Sequence, residues 1–377
     1  MPVIIAFSII TLSIVAILYK TYVGYGEYAW YTKISFFFIL LVSLLAPFIN
    51  FKLRNSELEG MLIYLPKALY FLFGLVLLLF IITLLRDVIW MIIDVIRRVP
   101  LTEMKNPQHL KKINLITILG CLALCLHGFY EAERQARVLT YNITSEKIES
   151  PVKIVMLSDI HIEADVSPNK IKELVSKVNS LKADVIVLVG DMIDDTPAKL
   201  YKQTEELKGL KAKDGVYFVL GNHEFYNGAM EWSLKFAQMG FVFLNNTGVK
   251  LENKNIFIAG IPDIGTAQHG GLKVKVENAL YGANKDNYVV MLSHTPKIAE
   301  GITKENVDLQ LSAHTHGGQI YPFHYLAKQN NDGHLAGFYN ENGVQMYVSR
   351  GTRYWGPPIR LFAPSEITVF NLLPEKK

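Results

Sequence analysis

The chain has 377 residues, 50% of them hydrophobic and only 19% charged, with a mean hydropathy of +0.22 and a formal net charge of +4. A hydrophobic half with so few charges excludes a disordered chain and a soluble enzyme throughout, and +4 is too small to imply nucleic acid. Two cysteines exclude a disulfide framework and a cysteine-built zinc module.

Apolar residues concentrate before residue 131. Four runs there are long enough to cross a bilayer, which takes about 20 apolar residues: Pro2 to Tyr19, Ile34 to Phe51, Ala68 to Leu85 and Ile113 to Tyr130. In lipid only helices satisfy their own backbone groups, so all four read as helices. The first lacks a basic leading segment and a small-residue cleavage site, so it reads as a retained helix, not a signal peptide. Tyr19, Tyr22, Tyr25, Tyr28, Trp30 and Tyr31 follow it as an interfacial aromatic belt. Val88 to Ile96 reads as a separate amphipathic helix lying in the interface. Cys121 and Cys125 are expected to pack as small apolar side chains. If the helices alternate, one side carries eight basic residues (Lys20, Lys33, Arg86, Arg97, Arg98, Lys105, Lys111 and Lys112). The other side carries six: Lys52, Arg54, Lys67, Arg134, Arg137 and Lys147. The positive-inside rule then makes this a multi-pass protein of the cell membrane with its C-terminal half outside the cytoplasm. The expected layout is an all-α four-helix transmembrane region over 1–130, a linker over 131–150 and a soluble domain over 151–377.

The soluble part begins with an apolar run, Lys153 to Leu157. Ser167-Pro168 is an N-cap followed by proline at the first helical position, and Ile171, Leu174, Val175 and Val178 repeat at helical spacing. Further apolar runs are Asp184–Val189, Val216–Leu220, Phe241–Leu244, Ile256–Ile261, Tyr288–Ser293, Leu309–Ser312, Gln345–Ser349 and Ile367–Asn371. Strands alternating with helices imply an α/β fold with buried sheets. Ala327 to Gly343, rich in Asn, Gly and Asp, reads as a loop or short hairpin.

Residues suited to binding metal recur where these strands stop: Asp159 and His161, Asp191, Asn222 and His223, His294, and His314 with His316. In open α/β folds ligands sit at the carboxyl ends of strands, so distant segments converge there. Imidazole and carboxylate together suit zinc, iron, manganese and similar ions. Seven ligands from this set of eight are too many for one tetrahedral site and fit two ions sharing a carboxylate. Two ions about 3.5–4 Å apart hold a phosphoryl group and activate water for in-line attack.

The segments Asp159-Ile160-His161, Gly190-Asp191-Met192-Ile193-Asp194, Gly221-Asn222-His223-Glu224, Ser293-His294 and His314-Thr315-His316-Gly317-Gly318, in this order, resemble the calcineurin-like metallophosphoesterase family. Ser349-Arg350-Gly351 and Pro357-Pro358-Ile359-Arg360 resemble its membrane-linked bacterial branch, which includes UDP-2,3-diacylglucosamine hydrolase-like phosphoesterases. Ala313 stands where the family usually has glycine. The resemblance implies a four-layer α/β/β/α sandwich and two divalent metal ions (Mn, Fe, Zn or Mg). It implies Asp159, His161 and His316 on the first ion, Asn222, His294 and His314 on the second, and Asp191 bridging. His223 is the implied catalytic acid, with Asp194 and Glu224 orienting histidines.

Arg350, Arg353, Tyr354, Trp355 and Arg360 are candidates for a cationic–aromatic rim that meets a phosphate and a ring or lipid. The expected function is a membrane-anchored phosphoesterase. Its expected partners are the lipid bilayer and a phosphorylated small-molecule or lipid substrate such as a nucleotide-linked glycolipid or phospholipid, which would give it a part in lipid metabolism. The alternatives are a phosphodiesterase of soluble or cyclic nucleotides, and a non-catalytic metal-binding sensor on a transmembrane unit.

Overall fold

The computed structural model describes residues 2–24, 28–53, 56, 60–98, 107–252, 254–267 and 272–375. The chain divides into two compact units, one of Met1–Tyr130 with Gly356–Ile359 and one of Glu131–Trp355 with Arg360–Lys377.

The first unit is built from α1 (Pro2–Tyr19), α2 (Trp30–Leu53), α3 (Leu65–Arg97) and most of α4 (Pro107–Glu133). Three stretches, Trp30–Leu53, Gly60–Arg97 and Leu110–Glu133, are long and apolar enough to cross a membrane. In α1 and the turn after it the apolar stretch Ser8–Gly24 is shorter than these, so three such spans stand among the described residues, against the four runs of the sequence. A small apolar centre joins Ile14, Leu18, Leu40, Leu44, Val76, Leu79 and the buried Cys121. Polar groups among the helices find one another: Tyr22 shares a 2.8 Å hydrogen bond with Thr83, and Arg86 donates to Asn114 at 2.8 Å. Val88–Ile96 is not a separate interfacial helix. It continues α3, because no glycine or proline interrupts the chain after Leu85 and Arg86 pairs with its neighbour Asp87.

The second unit holds two six-stranded sheets. The first is ordered β1 (Arg137–Ser145), β12 (Glu366–Pro374), β2 (Val152–Leu157), β3 (Val185–Val189), β4 (Val216–Val219) and β5 (Val242–Phe243). The second is ordered β10 (Gly337–Glu341), β11 (Val344–Val348), β9 (Leu309–Ser312), β8 (Tyr288–Leu292), β7 (Ile256–Gly260) and β6 (Thr247–Lys250). Strands β2 to β5 run parallel, as do β7, β8, β9 and β11.

Alternation along each strand assigns side chains to layers. Val185, Val187 and Val189 enter a core shared with Ile258, Val290, Leu292 and Leu311 of the other sheet. Ile186 and Leu188 face the opposite way, onto α5 (Pro168–Ser180), α6 (Pro197–Thr204) and α8 (Ala229–Gln238) through Val175, Leu200, Trp232 and Phe236. The short α7 (Asn222–Tyr226) lies between α6 and α8 in the chain. On the far side of the second sheet, Phe257 and Met291 pack with Val276 and Ala279 of α10 (Val276–Ala279), which follows α9 (Ile264–Ala267). The unit is thus two sheets face to face, with helices outside each. Strands buried on both faces explain the unbroken apolar runs of the sequence. At α5, Ser167 caps the helix by accepting from Lys170 N, with Pro168 at the first position.

Residues 131–150 are not a free linker. They contain the end of α4 and the nine-residue β1, paired in parallel with β12. Ala327–Gly343 holds the end of α11 (His324–Asn330), then β10 and the Asn342-Gly343 turn that leads into its antiparallel partner β11.

Candidate metal centre

Strands end abruptly at this site because the next residues leave extended geometry. Asp159, His161, Asp191, His314 and His316 all have left-handed backbone, with φ of 47°, 45°, 55°, 71° and 51°. Such conformations are costly for residues with a Cβ and gather at functional sites. Gly190, at φ 78°, makes the same turn after β3, where a Cβ would lie 2.7 Å from Gly221 N. The loops then run side by side: Asp159 N donates to Gly190 O at 3.0 Å, and His161 N to Asp191 O at 3.1 Å. Ala313 N donates to His294 O at 2.8 Å, joining the ends of β8 and β9.

The side chains converge. Asp159, His161 and His316 offer ligand atoms within 4.8 Å of one another, and so do Asp191, His294 and His314. His161 Nε2 and His316 Nε2 are 3.0 Å apart, and His316 Nε2 is 3.6 Å from Asp159 Oδ1. His294 Nε2 is 3.1 Å from Asp191 Oδ2 and 3.3 Å from His314 Nδ1. Asp191 Oδ2 also lies 3.8 Å from His161 Nε2, so one oxygen reaches both groups. Asn222 opens α7, and His223 N donates to Asp191 Oδ1 at 2.9 Å.

Several features fit cations in this cluster. Asp159 Oδ2 and Asn222 Oδ1 are buried without a hydrogen-bond partner, a costly state that a cation would relieve. His294 Nδ1 donates to Val189 O at 2.8 Å, and His161 Nδ1 to Asp194 Oδ1 at 2.8 Å. Those bonds select the tautomer whose Nε2 lone pair faces the cluster, the usual arrangement of a metal-binding histidine. Burial, His161 and the Arg360 guanidinium hold His316 well below its ordinary pKa and therefore neutral, with Arg360 Nη2 donating to its Nδ1 at 3.1 Å. Burial would lower His294 too, but the Asp191 carboxylate overrides it and holds the ring well above its usual value. Burial would raise Asp191, yet the charges of His294 and His223 hold it well below the usual carboxylate range. This pair demands positive charge between its facing atoms, which a divalent cation supplies as a proton does.

Asp194 ties the cluster to His223. Its Oδ1 accepts from His161 Nδ1 and also faces His223 Nδ1. Burial opposes a proton on His223, but Asp194 and then Asp191 outweigh it and push the ring up to about 9. His223 Nε2 points to the cluster, 4.0 Å from Asp191 Oδ2. Glu224 accepts from Asp191 N, Met192 N and Gly221 N at 2.9, 2.7 and 2.8 Å, fixing both loops. Glu224 therefore orders backbone and touches no histidine through these bonds.

The expected cationic–aromatic rim does not form as a unit. Arg350 pairs with Glu366 at 2.7 Å. Arg360 is fully buried, donating to His316 O, Ala363 O and Arg350 O. Tyr354 is buried, with its hydroxyl 3.0 Å from Glu133 Oε1. Buried acceptors absorb these polar groups, and Trp355 alone of the five is exposed. The role of Arg360 behind His316 was hidden in the sequence, since nothing local distinguishes a buried arginine from a surface one.

A family profile described as calcineurin-like phosphoesterase matches residues 152–318, which include all seven candidate ligands and His223. The chain is 31% identical over 356 residues to an uncharacterized metallophosphoesterase of Campylobacter jejuni, covering 92% of this chain and 91% of the relative. It is 32% identical over 268 residues to a transmembrane protein with metallophosphoesterase domain from Danio rerio, covering 67% and 61%. Among solved structures, a dimetal phosphatase from Danio rerio is similar over 55% of this chain and 90% of its own, at 14% identity and a TM-score of 0.36. The chain thus belongs to the calcineurin-like phosphoesterases and is a metal-dependent phosphoesterase.

Proposed function

We propose that the protein hydrolyses a phosphate ester or pyrophosphate bond at a membrane surface, with Asp159, His161 and His316 holding one divalent ion and Asn222, His294 and His314 a second. Asp191 faces both groups and serves as their common carboxylate. The observation that carries this reading is the position of Asp191 Oδ2, 3.1 Å from His294 Nε2 and 3.8 Å from His161 Nε2. Bound ions would supply Lewis acidity at phosphorus and lower the pKa of water. The chain's own residues do the rest. Asp194 holds His223 by Nδ1 and favours its charged form, and His223 presents Nε2 to protonate the leaving oxygen. Glu224 keeps Asp191 and the Asn222-His223 turn in register through three backbone bonds.

The apolar helices motivate the rest of the proposal: a multi-pass membrane protein whose catalytic unit lies outside the cytoplasm, acting on a nucleotide-linked glycolipid or phospholipid, as in the UDP-2,3-diacylglucosamine hydrolase-like branch. The purified full chain with manganese is expected to cleave bis(p-nitrophenyl) phosphate. His223→Asn should reduce kcat by about 10²- to 10⁴-fold, the usual worth of a general acid, and Asp191→Asn should abolish manganese dependence. Rates equal to the unaltered protein would overturn the assignment. A substrate panel should favour lipid-linked over soluble phosphate esters, and preference for a cyclic nucleotide would replace the lipid reading. A membrane-impermeant reagent should label a C-terminal tag on intact cells, and protection there would reverse the sidedness.

A further inference from the structure

Two exposed aromatic rings stand against the buried His223. The Trp355 and Tyr226 ring centroids each lie 5.7 Å from that of His223, at interplanar angles of 81° and 57°. Trp355 is 52% exposed and Tyr226 66%, whereas His223 is 9% exposed. Trp355 is held firmly despite its exposure. Its N donates to Gln319 Oε1 at 3.0 Å, and Gln319 Nε2 donates back to its O at 2.8 Å. Gln319 directly follows His316-Gly317-Gly318, so this amide clamp fixes the indole backbone relative to the candidate ligands. The residues before it are anchored as well. Arg353 Nη1 donates to the carbonyls of Ile160 and His161 at 3.3 and 3.2 Å, and Tyr354 is buried. The loop is thus pinned at and before a large ring left in solvent beside the proton donor.

We propose that Trp355 and Tyr226 grip the leaving group and that this group carries a flat ring. The inference rests on the role of His223 given above. In hydrolysis, water adds its oxygen to phosphorus and releases one proton to solvent. The bond to the leaving oxygen breaks with both electrons, and that oxygen takes a proton from His223 Nε2. The leaving oxygen is therefore beside His223, and whatever it carries lies beside Trp355 and Tyr226. Two exposed rings offer broad faces and edges, which favour another ring over a flexible chain. Within the proposed substrates this points to nucleotide-linked esters, whose leaving portion holds a flat base, in preference to plain phospholipids.

The test uses the full chain in detergent with manganese and two methyl phosphate diesters. One has 1-naphthol as leaving group, and the other hexafluoroisopropanol, an aliphatic alcohol of similar acidity. The readout is the ratio of kcat/KM for the two. Trp355→Ala should lower the naphthyl preference by about five- to tenfold, the worth of a lost aromatic pair, and Trp355→Phe should restore most of it. Tyr226→Ala should shift the ratio the same way, and it decides the matter if Trp355→Ala fails to fold. Equal losses for both esters mean a structural role and overturn the proposal, as does an unchanged ratio. Failure of the unaltered protein to hydrolyse either ester overturns the catalytic reading, and this inference with it.

Discussion

Replacing Gly221 by alanine tests the position of Asp191 against the turn that carries Asn222 and His223. Gly221 has φ −98°, a conformation that alanine adopts freely, so the change brings no backbone strain. The three atoms nearest its new Cβ all belong to Asp191, with N at 2.7 Å, Cγ at 2.9 Å and Oδ1 nearest. Ordinary contact begins at 3.4 Å, so Asp191 N would have to retreat by 0.7 Å. Neither end of Asp191 yields easily. Its N donates to Glu224 Oε2, and its Oδ1 accepts from His223 N, both at 2.9 Å. A misplacement near 1 Å costs on the order of 10²-fold in rate. The overpacking itself should cost about 1–3 kcal/mol of stability, leaving a folded protein. The assay is manganese-dependent hydrolysis of bis(p-nitrophenyl) phosphate, with elemental analysis and a thermal melt on the same sample. A fall in kcat of about a hundredfold with reduced bound metal is expected. A folded variant with normal metal content and activity within about threefold of the original would refute the argument that Asp191 must hold its place.

Chelation should abolish hydrolysis and lower the melting temperature, and manganese should restore both. A ligand at a hundred times its Kd contributes about 2.7 kcal/mol to the folded state, and an unchanged melt would deny metal a place in the fold. Trp232 is fully buried, with Nε1 3.0 Å from Asp195 O. Trp232→Ala should cost about 3–5 kcal/mol, seen as earlier melting and faster proteolysis of the soluble unit. Asp308 accepts from Lys147 Nζ at 2.7 and 2.9 Å and from Val289 N at 2.8 Å. Asp308→Ala orphans a backbone donor and should cost about 1–3 kcal/mol. Lys147→Ala leaves that donor paired and should cost less, so equal melts would contradict this division.

The candidate ligands were legible because metal-binding side chains stand out at the ends of strands that are otherwise largely apolar. The strands themselves were legible for the same reason: β3 is buried on both faces, so Asp184–Val189 reads as one unbroken run. β1 escaped notice because it lies at a sheet edge, where its residues are mostly exposed or half-buried and only Ile143 is buried. The left-handed turns at Asp159, His161, Asp191, His314 and His316 carry no signal of their own, since none of these is a glycine. The supposed rim failed for a different reason. An arginine's sequence gives its charge but not its acceptors, and Glu366 and the carbonyls around Arg360 lie in distant or folded-back segments.

The sheet order has a consequence for biosynthesis. β12 sits between β1 and β2, pairing with β1 over nine residues, from Arg137 with Glu366 to Ser145 with Pro374. The first strand to leave the ribosome after α4 therefore waits for one made more than two hundred residues later. Until then β1 and β2 each expose a row of unpaired amides and carbonyls, an invitation to mispairing. A nascent chain stalled before Glu366 would carry every candidate metal ligand and yet lack the strand that joins β1 to the sheet.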